Sequence, residues 1–133
     1  MKSKLSYAVF GNGSWATAIV KMLCENLDEI YWYVRTPQTL DYIQKEKHNP
    51  KYLSSVEFDT NRLNLNCDIN FVANKADVLI FAIPSAFIHE QLEHISVDIS
   101  TKIIVSAVKG IVPETGLLVA EHFSKTKNVP MSN

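Results

Sequence analysis

The chain has 133 residues, 47% of them hydrophobic and 20% charged, and its charges nearly cancel to a formal net charge of -1. A chain of this length buries roughly two-thirds of its unfolded surface, so one packed core is expected. The balanced charge leaves no electrostatic footprint for nucleic acid or an anionic membrane, and neither is expected as a partner.

The elements alternate from the start. "SYAVF" at 6–10 is a short apolar run ending at Gly11, and Trp15, Ala18, Ile19, Met22, Leu23 and Leu27 then recur near helical spacing over 14–27. This predicts strand, turn and helix. "EIYWYVR" at 29–35, aromatic and β-branched, predicts a second strand, and Pro37 opens a helix through Leu40, Ile43 and Gln44. Residues 47–65 keep no period and contain Pro50 with several Asn and Ser, which reads as a long excursion with room for one short strand.

Periodicity returns with "DINFVANKA", a brief strand at 69–71 leading into a short helix. "DVLIFAIP" at 77–84 is almost wholly apolar, as a strand covered on both faces must be, and belongs in mid-sheet. A helix over Ser85–His94 is expected to turn Phe87, Ile88, Leu92 and Ile95 inward. "KIIVSAV" at 102–108 reads as another buried strand, and a helix begins at Thr115 after Pro113. Buried strands alternating with amphipathic helices imply an α/β fold, a doubly wound, mostly parallel sheet with helices on both faces, Rossmann-like. The polar end, "NVPMSN", carries no closing element, as if cut shortly after a domain.

Cys24 and Cys67 follow no CxxC spacing and have no histidine framework, which fits two small, half-buried residues of a reduced intracellular protein. The N-terminus has no cleavage site and no spanning stretch. A cytoplasmic protein is expected, and the sequon Asn12-Gly13-Ser14 then carries no meaning. His89-Glu90 with His94 imitates a zinc-protease motif, but the histidines are five apart and point about 140° away from each other on a helix, so no metal site is expected.

Gly11-Asn12-Gly13-Ser14-Trp15-Ala16 has the form G-x-G-x-x-A. Gly11 permits a tight turn off the first strand, Gly13 lets a pyrophosphate approach the backbone, and Ala16 is small enough for close contact of helix and sheet. Amide groups at the start of the helix would face the phosphates, aided by the helix dipole. Its place between the first strand and a helix favours a dinucleotide-binding turn, with Gly11, Asn12, Gly13, Ser14 and Trp15 as cofactor contacts, over a merely structural glycine turn.

The acidic residue that grips a ribose hydroxyl about 20 residues on is replaced by Arg35. A guanidinium suits the 2′-phosphate of NADP or stacks on adenine, so the cofactor is NAD or NADP with NADPH favoured; an exposed helix-entry arginine is the plainer alternative. Two further points fall beyond strand ends, where ligands sit in open α/β sheets. Phe87 either packs against a cofactor ring or belongs to the core. Lys109, followed by Gly110, stands where a small anionic substrate would meet the cofactor, unless it is simply solvated.

"GNGSWATAI", "WYVR", "NPKYL", "FAIPSAF" and "SAVKGI", in this order, resemble the N-terminal domain of bacterial NAD(P)-dependent glycerol-3-phosphate dehydrogenase over nearly all 133 residues. The resemblance implies interconversion of dihydroxyacetone phosphate, a small phosphorylated substrate, and sn-glycerol 3-phosphate for phospholipid synthesis. It aligns Ser14, Trp15 and Arg35 with cofactor contacts, Phe87 with an aromatic near the nicotinamide, and Lys109 with a lysine touching both cofactor and substrate. Ala16 stands where many members have glycine. It also implies a second, helical domain beyond Asn133 carrying the proton-transferring lysine, so the 133 residues alone hold no catalytic residue; any homodimer would form through that domain. A free-standing dinucleotide-binding module, and the cofactor domain of a different short-substrate reductase of 2-hydroxyacid or ketopantoate type, are the alternatives.

Overall fold

The computed structural model describes residues 4–108 and 110–132. Five parallel strands form one sheet: β1 (Tyr7–Phe10), β2 (Ile30–Tyr33), β3 (Leu63–Asn66), β4 (Val78–Phe81) and β5 (Ile103–Ser106), ordered β3-β2-β1-β4-β5. The order reverses between β1 and β4. Parallel neighbours require crossovers, and the helices supply them: α1 (Ser14–Asn26) and α2 (Pro37–Glu46) lie on one face, and α3 (Ile69–Lys75), α4 (Ser85–Glu93) and α5 (Val119–Lys127) on the other.

Alternation along each strand divides the core. Val9, Ile30, Trp32, Val78 and Ile80 pack under α1 and α2, with Ala16 wholly buried at the helix–sheet contact. Ala8, Phe10, Leu79 and Phe81 pack under α3, α4 and α5. Phe10 and Phe81 are register partners on adjacent strands, and their rings stack at 4.5 Å between centroids. Phe123 of α5 tilts onto Phe81 at 4.9 Å. These offset and tilted pairs form a stiff floor below the carboxyl ends of β1 and β4.

The excursion after α2 closes on itself, for Phe58 N–H donates to the Lys47 carbonyl at 2.8 Å and the Phe58 ring is buried beside Trp32. A 3-10 turn at Thr60–Arg62 follows, and Arg62 donates to the carbonyls of Cys24 and Leu27 at the end of α1. A cation at helix-terminal carbonyls satisfies acceptors that the helix leaves unpaired.

Several expectations are corrected. Residues 69–71 are helix, not strand: the Asp68 carboxylate accepts from Asn70 N–H and Phe71 N–H and starts α3 there, and the strand of this region lies earlier, at β3. The strand at 102–108 is not buried. Being an edge strand, β5 leaves Ile103 and Val105 each 42% exposed on the α1 side of the sheet, where α1 does not reach. The last helix begins at Val119, because β6 (Ile111–Val112) and β7 (Leu117–Leu118) first form an antiparallel hairpin, closed by Gly116 N–H donating to the Val112 carbonyl at 2.7 Å. Phe87 does not face inward with Ile88 and Leu92; it is 50% exposed. Trp15 and Met22 are likewise exposed on α1 despite their helical spacing.

Candidate functional site at the carboxyl edge of the sheet

A cleft of about 1030 Å³ opens along the carboxyl ends of β1, β2, β4 and β5. This is the rim where strand order reverses, the location at which open α/β sheets receive ligands. Gly11, Asn12, Gly13, Ser14 and Trp15 form its middle wall, Tyr33, Arg35 and Tyr52 one end, and Ile83, Pro84, Ser85, Phe87 and Gln91 the other, with Ala107 and Val108 beyond β5. Every predicted cofactor contact among the described residues therefore lines one cavity. Lys109, the predicted cofactor and substrate contact, lies outside the described residues.

The glycine turn is anchored one carbonyl at a time. Trp32 Nε1 donates to the Gly11 carbonyl at 2.7 Å. Asn49 Nδ2 donates to the Asn12 carbonyl at 2.9 Å. Thr17 donates to the Gly13 carbonyl from both its backbone N–H, at 2.9 Å, and its hydroxyl, at 2.7 Å. The peptides of the described residues are trans, and in a trans peptide the N–H points opposite to the C=O. Fixing three successive carbonyls on the protein side thus aims the N–H groups of Asn12, Gly13 and Ser14 the other way, toward the cleft these residues line. The first amides of α1 join them, since a helix leaves its first N–H groups unpaired and no side chain caps α1. Donors converging at a helix N-terminus form an anion cradle.

The two glycines differ in what they permit. Gly11 has φ +121°, and a Cβ there would strike the Ala82 carbonyl and come within 2.8 Å of Ile83 Cγ2. Gly13 is extended at φ -77°, and a Cβ there would meet nothing within 4 Å. Gly11 serves the packing of turn against β4. The room beside Gly13 is what a diphosphate bridge would occupy, so the residues present fit a dinucleotide.

At one end Arg35 is exposed, and its charge acts on Tyr33. Burial pushes the Tyr33 phenol above its ordinary range, with the guanidinium opposing, so the phenol stays neutral and able to donate at physiological pH. At the other end Gln91 lines the cleft, and its amide oxygen is buried without a partner among the described residues. Among the described lining residues there is no carboxylate, histidine or lysine.

Sequence reasoning places the stretch Pro84-Ser85-Ala86-Phe87 at this rim, but assigns no site role to Trp32, Asn49, Tyr52 or Gln91. Asn49-Pro50 held a usable signal, since Asn before Pro favours a turn held by its own side chain. Trp32 opens the motif "WYVR", but a strand aromatic reads as core and its hydrogen bond to the glycine turn leaves no local trace.

A family model described as "NAD-dependent glycerol-3-phosphate dehydrogenase N-terminus" matches residues 6–130. The chain belongs to this family. Among curated relatives, glycerol-3-phosphate dehydrogenase, NAD(P)+, of Tropheryma whipplei (strain Twist) is 33% identical over 118 residues, covering 89% of this chain and 34% of the relative. The enzyme of the same name from Teredinibacter turnerae (strain ATCC 39867 / T7901) is 30% identical over 122 residues, covering 91% of this chain and 36% of the relative. Among solved structures, the glycerol-3-phosphate dehydrogenase of Plasmodium falciparum superposes with a TM-score of 0.78 at 27% identity, covering 95% of this chain and 39% of that one. DsGPDH of Dunaliella salina, at 20% identity and a TM-score of 0.83 over 95% of this chain and 28% of that one, shares the fold. The chain spans about a third of the length of the curated relatives it matches. The chain has the expected Rossmann-like, doubly wound sheet.

Proposed function

We propose that the chain is the cofactor-binding part of a glycerol-3-phosphate dehydrogenase, which interconverts dihydroxyacetone phosphate and sn-glycerol 3-phosphate and so supplies glycerophospholipid synthesis. The observation that carries this reading is the inward anchoring of the Gly11, Asn12 and Gly13 carbonyls, which turns successive amides toward the cleft. The cofactor, NAD or NADP, supplies hydride chemistry when bound. Gly13, Ser14 and Trp15 hold its diphosphate, and Arg35 takes the adenosine end and favours NADPH through the 2′-phosphate. Phe87 and Gln91 border the opposite end, where the exposed Phe87 ring excludes water from the reacting face. Lys109 is assigned to the cofactor and to the substrate phosphate or carbonyl.

Reduction of a ketone also needs a proton at the developing alkoxide. Among the described residues of the cleft, burial pushes the Tyr33 phenol up and Arg35 is a permanent cation, so neither is suited to give up a proton. By resemblance to the family, the proton is assigned to a lysine in the part of the relatives this chain does not span. We place the reaction in the cytoplasm, on the free Cys24 and Cys67; no helix among the described residues is long and apolar enough to cross a membrane.

Titration with NADPH, followed by quenching of tryptophan fluorescence, tests the reading. Saturable binding, tighter for NADPH than for NADH, without turnover of dihydroxyacetone phosphate by these 133 residues, is the expected result. No response at millimolar cofactor, with the fold intact by circular dichroism, would overturn it.

A further inference from the structure

Asn49 is polar and fully buried in a segment whose remaining residues from 50 to 55 are exposed. Its side chain makes four hydrogen bonds. Nδ2 donates to the Asn12 carbonyl at 2.9 Å and to Thr17 Oγ1 at 3.0 Å, while Oδ1 accepts from Lys51 N–H at 2.9 Å and Tyr52 N–H at 3.1 Å. The orientation of the amide is forced, because a carbonyl can only accept and a backbone N–H can only donate.

Two of these bonds act on the dinucleotide turn from 37 and 32 residues away in sequence. One fixes the Asn12 carbonyl directly. The other orients Thr17 Oγ1, whose own hydrogen goes to the Gly13 carbonyl at 2.7 Å. A single side chain thereby sets the peptide planes that carry the Gly13 and Ser14 amides. The remaining two bonds fold the backbone after Pro50 so that Tyr52 stands at the Arg35 end of the same cleft.

Resting on the cofactor-binding reading above, we propose that Asn49 is the positioning residue of the cofactor site: it preorganises the diphosphate-binding amides and, through the same amide group, carries Tyr52 to the adenosine end, so that both grips on the cofactor form together. Preorganised donors bind without spending affinity on ordering the turn. An aspartate could keep the bonds to Lys51 and Tyr52 but would turn a carboxylate oxygen against the Asn12 carbonyl, beside the diphosphate. A short aliphatic side chain would lose all four bonds.

The test is NADPH affinity of Asn49→Ala and Asn49→Asp beside the parent protein, at a temperature where near-UV circular dichroism shows each to be folded. A purely structural role would lower the melting temperature and leave the dissociation constant of the folded protein unchanged. The expected result is at least fivefold weaker NADPH binding by both variants; a smaller change in either folded variant overturns the proposal. Should both variants fail to fold, amide hydrogen exchange of the parent decides. NADPH is expected to slow exchange at Lys51 and Tyr52 together with Gly13 and Ser14, and protection of the turn alone would overturn the coupling. A parent that does not bind NADPH would instead refute the cofactor reading itself.

Discussion

The indole of Trp32 and the carbonyl of Gly11 are joined by a hydrogen bond of 2.7 Å, so that the first residue of the glycine turn is held from the neighbouring strand. Trp32 is fully buried, and its polar edge would have no place in the core without that partner. The bond does two things at once: it satisfies the indole and it commits the following amide to the cleft. Trp32→Phe keeps an aromatic ring beside Phe58 but strands the Gly11 carbonyl. Leaving such a group unsatisfied costs about 1–3 kcal/mol. Urea unfolding is expected to show a loss in this range, with NADPH binding weakened several-fold in the folded fraction.

Gly11→Ala and Gly13→Ala are expected to fail differently. At Gly11 a methyl group meets the Ala82 backbone just beyond β4 and the backbone is in a region disfavoured for L residues, so the turn must shift and stability falls by more than about 2 kcal/mol. At Gly13 the methyl group meets nothing and φ is ordinary, so the melting temperature stays within about 2 °C. The same methyl group fills the space proposed for the diphosphate, and NADPH affinity is expected to fall at least tenfold. Thermal melts with ligand titration separate the two effects, and unimpaired binding by Gly13→Ala would place the phosphates elsewhere.

Arg35 is proposed to distinguish the two cofactors. Arg35→Asp replaces the phosphate-binding guanidinium with a carboxylate suited to a ribose hydroxyl and hostile to a 2′-phosphate. The ratio of NADPH to NADH affinity is expected to drop by at least tenfold, most of it through lost NADPH binding. Competitive titrations with the two reduced cofactors read this ratio directly.

Acid should loosen α4 from α5. His122 of α5 is buried with neither ring nitrogen hydrogen-bonded among the described residues, and its ring centroid lies 5.4 Å from that of His89 on α4. Burial, then the nearby His89, holds the His122 imidazole below its ordinary 6.5, with Glu114 opposing; His89 Nε2 lies 3.3 Å from Glu93. A depressed folded value means that the unfolded chain binds the proton more readily, so the stability is fully present above about 6.5 and is lost as pH falls through the folded value. Melting temperatures are expected to decline from about pH 6.5 downward. His122→Leu, which forfeits no hydrogen bond to the described residues at the ring nitrogens, should flatten that decline, and an unchanged slope would reject His122 as its source.

Much of the architecture was legible because local patterns carry it. The buried run at 78–81 could only be a central strand, and the glycine spacing after β1 could only be useful where a strand ends and a helix begins. Patterns misled where local chemistry or an uncovered face outweighed them. Asp68 capped a helix where β-branched and aromatic neighbours looked extended, and Ile103 and Val105 looked buried although no helix covers that side of β5.

By itself the sequence determined the alternation of strand and helix through β1, α1, β2, α2, β4 and α4, and the glycine turn with Arg35 at the next strand end, since each depends on residues close together in the chain. Only the tertiary structure decided which way the turn's amides point. That direction is set by Trp32 and Asn49, 21 and 37 residues from the carbonyls they hold, and a hydrogen bond across such a separation leaves no periodic trace: it exists only once the sheet has brought its two ends together.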